Sequence, residues 1–352
     1  MKRYGNLYEK IYDIENVKVA HHNARKGKKH YDEVKMIDIE PEKYLNKIHD
    51  MLKLKTFKNS KYTIISKVTD NGKVREIFKL PYFPDRIIHH CIMQVLEPIW
   101  FKTLIRDTYS SIRGRGIHDG VKRLKIALKN KEQTQFCLKM DIKKFYPSID
   151  NVILKHIIRE KIKDRNVLWL LDEIIDSTKG VPIGNYLSQY FGNLYLSKID
   201  HWLKEKKDCK YYFRYCDDIV ILKDNKQKLH DLRKDIINYL KNVLNLNLKE
   251  NWQIFPVNVR GIDFLGYRFF HDYILLRKGI KKKFIGKINQ INKNWQKMNH
   301  NQIVNSVMSY WGWLKHGNCQ NLINKYLDVE IFRIVKTVCE ERGIANPLQG
   351  LR

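Results

Sequence analysis

Phe213-Arg214-Tyr215-Cys216-Asp217-Asp218-Ile219-Val220-Ile221-Leu222 sets two adjacent carboxylates between apolar, β-favouring residues. Stretches 211–213 and 219–222 read as two short strands, with the acidic pair near the bend between them. Adjacent residues of a regular strand point to opposite faces, so Asp217 and Asp218 reach one face only if a turn intervenes. A turn lets one carboxylate, or both, approach a metal ion. Most Asp-Asp pairs are solvated turn residues, so this pair gains meaning only from the rest of the chain.

A second centre precedes it. In Phe136-Cys137-Leu138-Lys139-Met140-Asp141-Ile142-Lys143-Lys144-Phe145-Tyr146-Pro147 an apolar strand runs into Asp141 and the chain turns at Pro147. An acid at a strand end, before irregular backbone, is a common place for a metal ligand and equally for a capping acid. Asp150 is placed to cap a helix whose apolar residues Ile153, Leu154, Ile157, Ile158 and Ile162 recur at helical spacing. Between the two acidic centres, Gly180-Val181-Pro182-Ile183-Gly184-Asn185-Tyr186-Leu187-Ser188-Gln189 is a turn-rich approach to a helix continuing through Phe191, Leu194, Ile199 and Leu203. The amides at such a helix start favour phosphate.

Upstream, 62–68 reads as a strand, Asp70-Asn71-Gly72 as a hairpin turn and 73–78 as the return strand. Lys73 and Arg75 are two apart and project from one face, which suits a triphosphate or a solvated strand. A helix is expected over 39–54, and another starting at Asp85, a plausible N-cap, and running to about Trp100. His89 and His90 are adjacent rather than four apart, which argues against metal ligation from that helix. The basic, glycine-rich loop Arg113-Gly114-Arg115-Gly116 suits a phosphate backbone. Downstream, Leu229, Leu232, Ile236, Leu240 and Val243 mark an amphipathic helix. Residues 260–269 suggest a second hairpin, 277–287 is rich in lysine, and Ile303, Val307, Trp311 and Leu314 form one apolar helix face.

The 352 residues are enough for two or three subdomains. Lysine and arginine number 67 against 38 acids, giving a net charge of +29, a field that attracts polyanions. Anionic membrane is the competing partner, but no apolar run approaches the ~18 residues of a membrane span. No signal peptide is recognisable, and no membrane association is expected. The six scattered cysteines contain no Cys-x-x-Cys, so neither a zinc ribbon nor a disulfide framework is expected, and a reduced cytoplasmic setting fits. No internal repeat or low-complexity linker is visible.

Taken in order, an acid after an apolar strand, a glycine-containing helix start and an Asp-Asp hairpin resemble the reverse transcriptases. Tyr215-Cys216-Asp217-Asp218 looks like that family's Tyr-x-Asp-Asp box, and 141–146 like its preceding palm motif. Phe264-Leu265-Gly266-Tyr267 resembles the primer grip of bacterial members. Lys73, Arg75 and Arg86, with Arg113-Gly114-Arg115-Gly116, resemble finger motifs of retron and group II intron enzymes. The resemblance covers about residues 1–330. It implies an α+β, right-hand polymerase fold: an N-terminal extension and fingers over 1–125, a palm over 126–270 with part of the fingers inserted around 152–180, and a helical thumb over 271–352. Little room is then expected for a ribonuclease H or endonuclease.

The resemblance also implies roles. Asp141, Asp217 and Asp218, with the carbonyl of Ile142, would hold two Mg2+ ions, with Mn2+ able to substitute. In two-metal chemistry such ions lie about 4 Å apart and bridge the attacking hydroxyl and the phosphate, and Mg2+ takes oxygen ligands. Lys73, Arg75, Tyr146, Ile183, Gly184 and Gln189 would contact the incoming dNTP, Tyr146 as an aromatic gate against a ribose 2′-hydroxyl. Arg86, Arg113, Arg115, Lys281, Lys282 and Lys283 would contact template RNA and the RNA/cDNA duplex. Within the family, Ile183-Gly184 followed by Ser188-Gln189 resembles the Ile-Gly-x-x-x-Ser-Gln signature of diversity-generating retroelements, where most relatives carry Gln before Gly. That subgroup implies copying of a template-repeat RNA with errors at template adenines, and a small helical accessory protein as partner. A retron-like or defence-associated enzyme and a non-catalytic RNA-binding protein are the alternatives.

Overall fold

The computed structural model describes residues 2–68, 72, 74–343, 345 and 348. Nine strands are named here: β1 Thr63–Val68, β2 Val74–Lys79, β3 Phe136–Asp141, β4 Tyr211–Tyr215, β5 Asp218–Lys223, β6 Gln253–Pro256, β7 Ile262–Phe264, β8 Tyr267–Phe269 and β9 Ile274–Leu276. They form a two-stranded sheet β1-β2, a four-stranded sheet of order β4-β5-β3-β6, and a three-stranded sheet β7-β8-β9. The chain divides into two compact units, one comprising 1–114, 140–219 and 232–252, the other 115–139, 220–231 and 253–352.

The first unit is built largely of helices. Asp13 caps Ile14–Ala24 by accepting from the amides of Glu15 and Asn16. The helix expected over 39–54 is present as Pro41–Lys53, and a further helix, Asp32–Ile39, precedes it. Proline has no amide hydrogen to continue the first helix and its fixed φ suits the first turn of the second, so the break falls at Glu40. The next helix begins at Ile87, and Asp85 does not cap it. Asp85 is wholly buried and its carboxylate accepts from the amide of Ser60 at 3.0 Å. Ile87–Phe101 buries most of its length, including His89 and His90. Asp150 caps Asn151–Arg159 as expected, accepting from Val152 and Ile153.

β1 and β2 pair antiparallel, with Lys67 opposite Arg75. The hairpin turn residues Asp70 and Asn71 and the candidate Lys73 lie outside the described residues. β4 and β5 are joined through Cys216 and Asp217, and Asp218 is already the first residue of β5 rather than part of the bend. Residues 219–222 of β5 are all buried, so neither face of this strand meets water. The following helix, Lys226–Leu244, buries Leu229, Leu232, Ile236, Leu240 and Leu244, whereas Val243 is exposed.

In the second unit β6 pairs antiparallel with the first four residues of β3. The hairpin expected over 260–269 gains a third strand, β9, which pairs with β8. Leu265 and Gly266 both have positive φ, 52° and 85°, as a tight two-residue turn requires. A Cβ at Gly266 would stand 2.5 Å from the Trp313 ring, so only glycine fits there. Helices Lys278–Asn294, His300–Leu314, Gln320–Tyr326 and Val329–Glu341 complete the unit. Ile303, Val307 and Leu314 are buried as the spacing predicts, while Trp311 is half-buried and Val304 joins the core. All six cysteines are unbridged. Among the described residues, no helix is long and apolar enough to cross a membrane.

Candidate active site

The Asp217 turn is held by a fully buried ion pair. Arg214 of β4 donates to both carboxylate oxygens of Asp200, at 2.8 and 2.6 Å, and neither side chain is exposed. Tyr212 donates to the same carboxylate, at 2.5 Å. The remaining Arg214 nitrogen donates to the Asn193 side chain and, at 2.9 Å, to the carbonyl of Cys216. That last bond fixes the turn, in which Cys216 adopts a left-handed φ of 57°. Asp200 and Asn193 belong to the helix Ser188–His201, so this helix braces the acidic hairpin through one guanidinium. Sequence reasoning missed Arg214 and Asp200. The signal was there: an arginine inside an apolar strand must be paired when buried.

Asp141, at the end of β3, is brought beside Asp217. Burial first, and then the neighbouring Asp141 carboxylate, raise the Asp217 carboxyl above its ordinary range. Asp141 also forms an ion pair with Lys249. Lys249 arrives on an antiparallel bridge between Ile142 and Leu248, in which Lys249 donates its amide to Asp141 and Lys143 donates to Asn247. The bridge engages the carbonyl of Asp141 and the amide of Lys143, and leaves the Ile142 carbonyl outside those two bonds. Lys249 carried no local signal, because a bridge between 142 and 248 depends on tertiary placement.

Asp218, one residue on, is half-buried at the start of β5. Among the described residues no group of three or more His, Cys, Asp or Glu side chains is gathered as a metal site. Asp141 and Asp217, two of the three expected carboxylates, are thus brought together. Two adjoining carboxylates, one of them raised by the other, are an all-oxygen donor set that fits a hard divalent cation. Such a cation would offset both the burial and the Asp141 repulsion that raise the Asp217 carboxyl.

Tyr146 flanks this pair. Its hydroxyl accepts a bond from the Cys216 thiol at 3.4 Å. Burial, followed by the neighbouring Cys216 and Asp217, holds the phenol well above its ordinary pKa, so it stays neutral. Burial and Asp217 likewise push the Cys216 thiol up to about 11. The expected helix start is tied to the β1-β2 hairpin: the Phe78 amide donates to the Ile183 carbonyl at 2.7 Å. Gly184 has φ 117°, and a Cβ there would lie 2.5 Å from the Phe78 carbonyl oxygen, so no other residue fits. The helix itself begins at Ser188, whose hydroxyl donates to the Pro182 carbonyl at 2.5 Å. Gln189 and Arg75 are exposed.

The candidate nucleic-acid contacts are placed variously. Arg86 lies over the Tyr186 ring at 5.8 Å, and His90 stacks on the same ring at 4.1 Å, so Arg86 is turned inward. Arg113 is exposed and Arg115 half-buried. Lys281, Lys282 and Lys283 are exposed on the helix Lys278–Asn294.

Residues 59–269 match the family model described as reverse transcriptase (RNA-dependent DNA polymerase). The chain belongs to the reverse transcriptase family. It is 24% identical over 243 residues to Protein YkfC of Escherichia coli, covering 56% of this chain and 64% of that protein. It is 26% identical over 149 residues to the group II intron-encoded protein LtrA of Lactococcus lactis, covering 39% of this chain and 24% of LtrA. This reverse transcriptase chain thus spans less than two thirds of the length of either relative. A telomerase from Candida albicans, solved with a fragment of telomeric RNA, covers 85% of this chain and 63% of its own at 13% identity and a TM-score of 0.49. The mixture of helices and antiparallel sheets is the expected α+β fold of the family.

Proposed function

We propose that this chain is an RNA-directed DNA polymerase of the diversity-generating retroelement type, copying a template-repeat RNA into cDNA with errors at template adenines. The observation that supports the chemistry best is the pairing of Asp141 with Asp217, which lie 76 residues apart (217 − 141). Bound magnesium, as two ions, would align the primer 3′-hydroxyl with the incoming phosphate and neutralise developing charge. Asp141, Asp217, Asp218 and the Ile142 carbonyl would hold it, with one of the paired acids acting less directly. Lys249 keeps the Asp141 carboxylate oriented. Lys73 and Arg75 take the triphosphate, and Tyr146 stands against a ribose 2′-hydroxyl. Ile183, Gly184 and Gln189 border the nascent pair.

Fingers, palm and thumb follow the boundaries given above, and Arg86, Arg113, Arg115 and Lys281 to Lys283 bear on template and duplex. A small helical accessory protein and a cytoplasmic setting belong to the same reading. Ile183 supports the error-prone assignment, because it offers none of the amide donors and acceptors by which glutamine would brace a base pair. The deciding experiment is sequencing of cDNA made from co-purified RNA. Substitutions concentrated at template adenines are expected. Faithful cDNA would remove the retroelement assignment and leave the polymerase, whereas RNA binding without any cDNA would remove the polymerase.

A further inference from the structure

Gly192 lies in the middle of the helix Ser188–His201, where glycine is the poorest ordinary helix former. Its backbone does not need glycine, since it is not among the residues of positive φ. What it supplies is space. A Cβ at Gly192 would lie 3.0 Å from Cε1 of Phe145 and 3.1 Å from Cε1 of Tyr146, closer than side chains pack without one of them moving. The Tyr146 backbone cannot yield easily, because its carbonyl already accepts from the amides of Val181 at 2.9 Å and Ile149 at 3.4 Å. The phenol end of the ring meets the Cys216 thiol, and Cys216 is itself tethered by Arg214. The ring is therefore bounded along one edge by a helix and at its tip by the acidic turn.

We propose that Gly192 and Cys216 are positioning residues that set the Tyr146 ring, and through it the choice between deoxyribonucleotides and ribonucleotides. The inference rests on the reading of Tyr146 as the gate. On that reading the ring abuts the sugar and discriminates by fractions of an ångström. A Cβ at Gly192 displaces it sideways, and loss of the Cys216 thiol releases its tip. Either change opens room at the ribose 2′ position.

The test measures kcat/KM for a dNTP and for the matching rNTP on an RNA template with a DNA primer. Gly192→Ala is expected to lower the dNTP:rNTP ratio at least about fivefold, well within the roughly hundredfold that a 1 Å misplacement can cost. Cys216→Gly suits the left-handed backbone, adds no atoms, and should lower the ratio likewise. In a Tyr146→Ala background neither change should alter the ratio further, since residues acting through one another are not additive. A ratio unchanged or raised in both single variants, or an effect that persists without Tyr146, overturns the inference. If Gly192→Ala fails to fold by its thermal melt, Cys216→Gly decides alone. If Tyr146→Ala by itself leaves rNTP rejection intact, the gate reading falls; if it relaxes rejection while the two variants do not, only the positioning role falls.

Discussion

At the scale of single residues the proposed chemistry rests on the neighbouring carboxylates of Asp141 and Asp217. Asp217→Asn removes the charge that burial and Asp141 already disfavour, so metal-free protein should fold no worse. Its cDNA synthesis should fall by at least about 100-fold, as expected when one group that stabilises transition-state charge is lost. Primer extension at saturating Mg2+ checks this, and extension at the wild-type rate would remove Asp217 from the reaction. A second residue prediction concerns fidelity. Ile183 presents its carbonyl to Phe78 and keeps its side chain half-exposed. Ile183→Gln preserves the backbone bond and adds polar groups, so sequenced cDNA should carry several-fold fewer substitutions at template adenines, each 1.4 kcal/mol of added discrimination being tenfold. An unchanged adenine error rate would remove the apolar side chain from the proposed account of infidelity.

At the scale of elements the same hairpin depends on a helix. Asp200 and Arg214 are wholly buried, and removal of one partner strands the other without water. Asp200→Ala should cost about 3–5 kcal/mol by denaturant melt. Activity should be lost with it, since the Cys216 carbonyl loses a fixed donor. A pH effect belongs to another element. Burial raises the carboxyl of Asp85 above its ordinary value, and the Ser60 amide only partly offsets this. A carboxyl with a folded pKa above the unfolded one binds more protons when folded, so stability falls as pH rises from the ordinary carboxylate range through the raised value. Asp85→Asn should therefore melt higher than wild type at pH 7, with the gap closing as pH drops below the ordinary carboxylate value. These two cases also mark what sequence can disclose. Strand stretches, the Asp150 cap and the helix after the acidic turn were legible because each is written in a local pattern. Asp85 was misread as a cap because its partner, Ser60, lies 25 residues away. Lys249 depends on a bridge between stretches over a hundred residues apart that no local period announces.

At the scale of the whole molecule 67 basic residues against 38 acidic ones would govern how the proposed nucleic acid is met. Part of this charge is answered internally: Lys18 pairs with Glu15, Lys43 with Glu40 and Lys207 with Asp235. Cations without such local partners release counterions when they meet phosphate, so RNA affinity should fall linearly in log–log form with salt. Each phosphate contact contributes about 0.7 to the slope on a single strand and about 0.9 on a duplex. Lys281 and Lys282 stand exposed one after the other on the helix Lys278–Asn294. If both meet phosphate, Lys281→Ala with Lys282→Ala should reduce the slope by roughly 1.4 to 1.8, weakening binding alike for all sequences. Lys18→Ala, which breaks a surface pair with Glu15, should leave the slope unchanged. Titrations across salt concentrations, on one RNA hairpin and one RNA/DNA duplex, separate the two. A slope unaltered by the double substitution would place the polyanion elsewhere on the molecule, and a change confined to one sequence would mean that these lysines read bases rather than backbone.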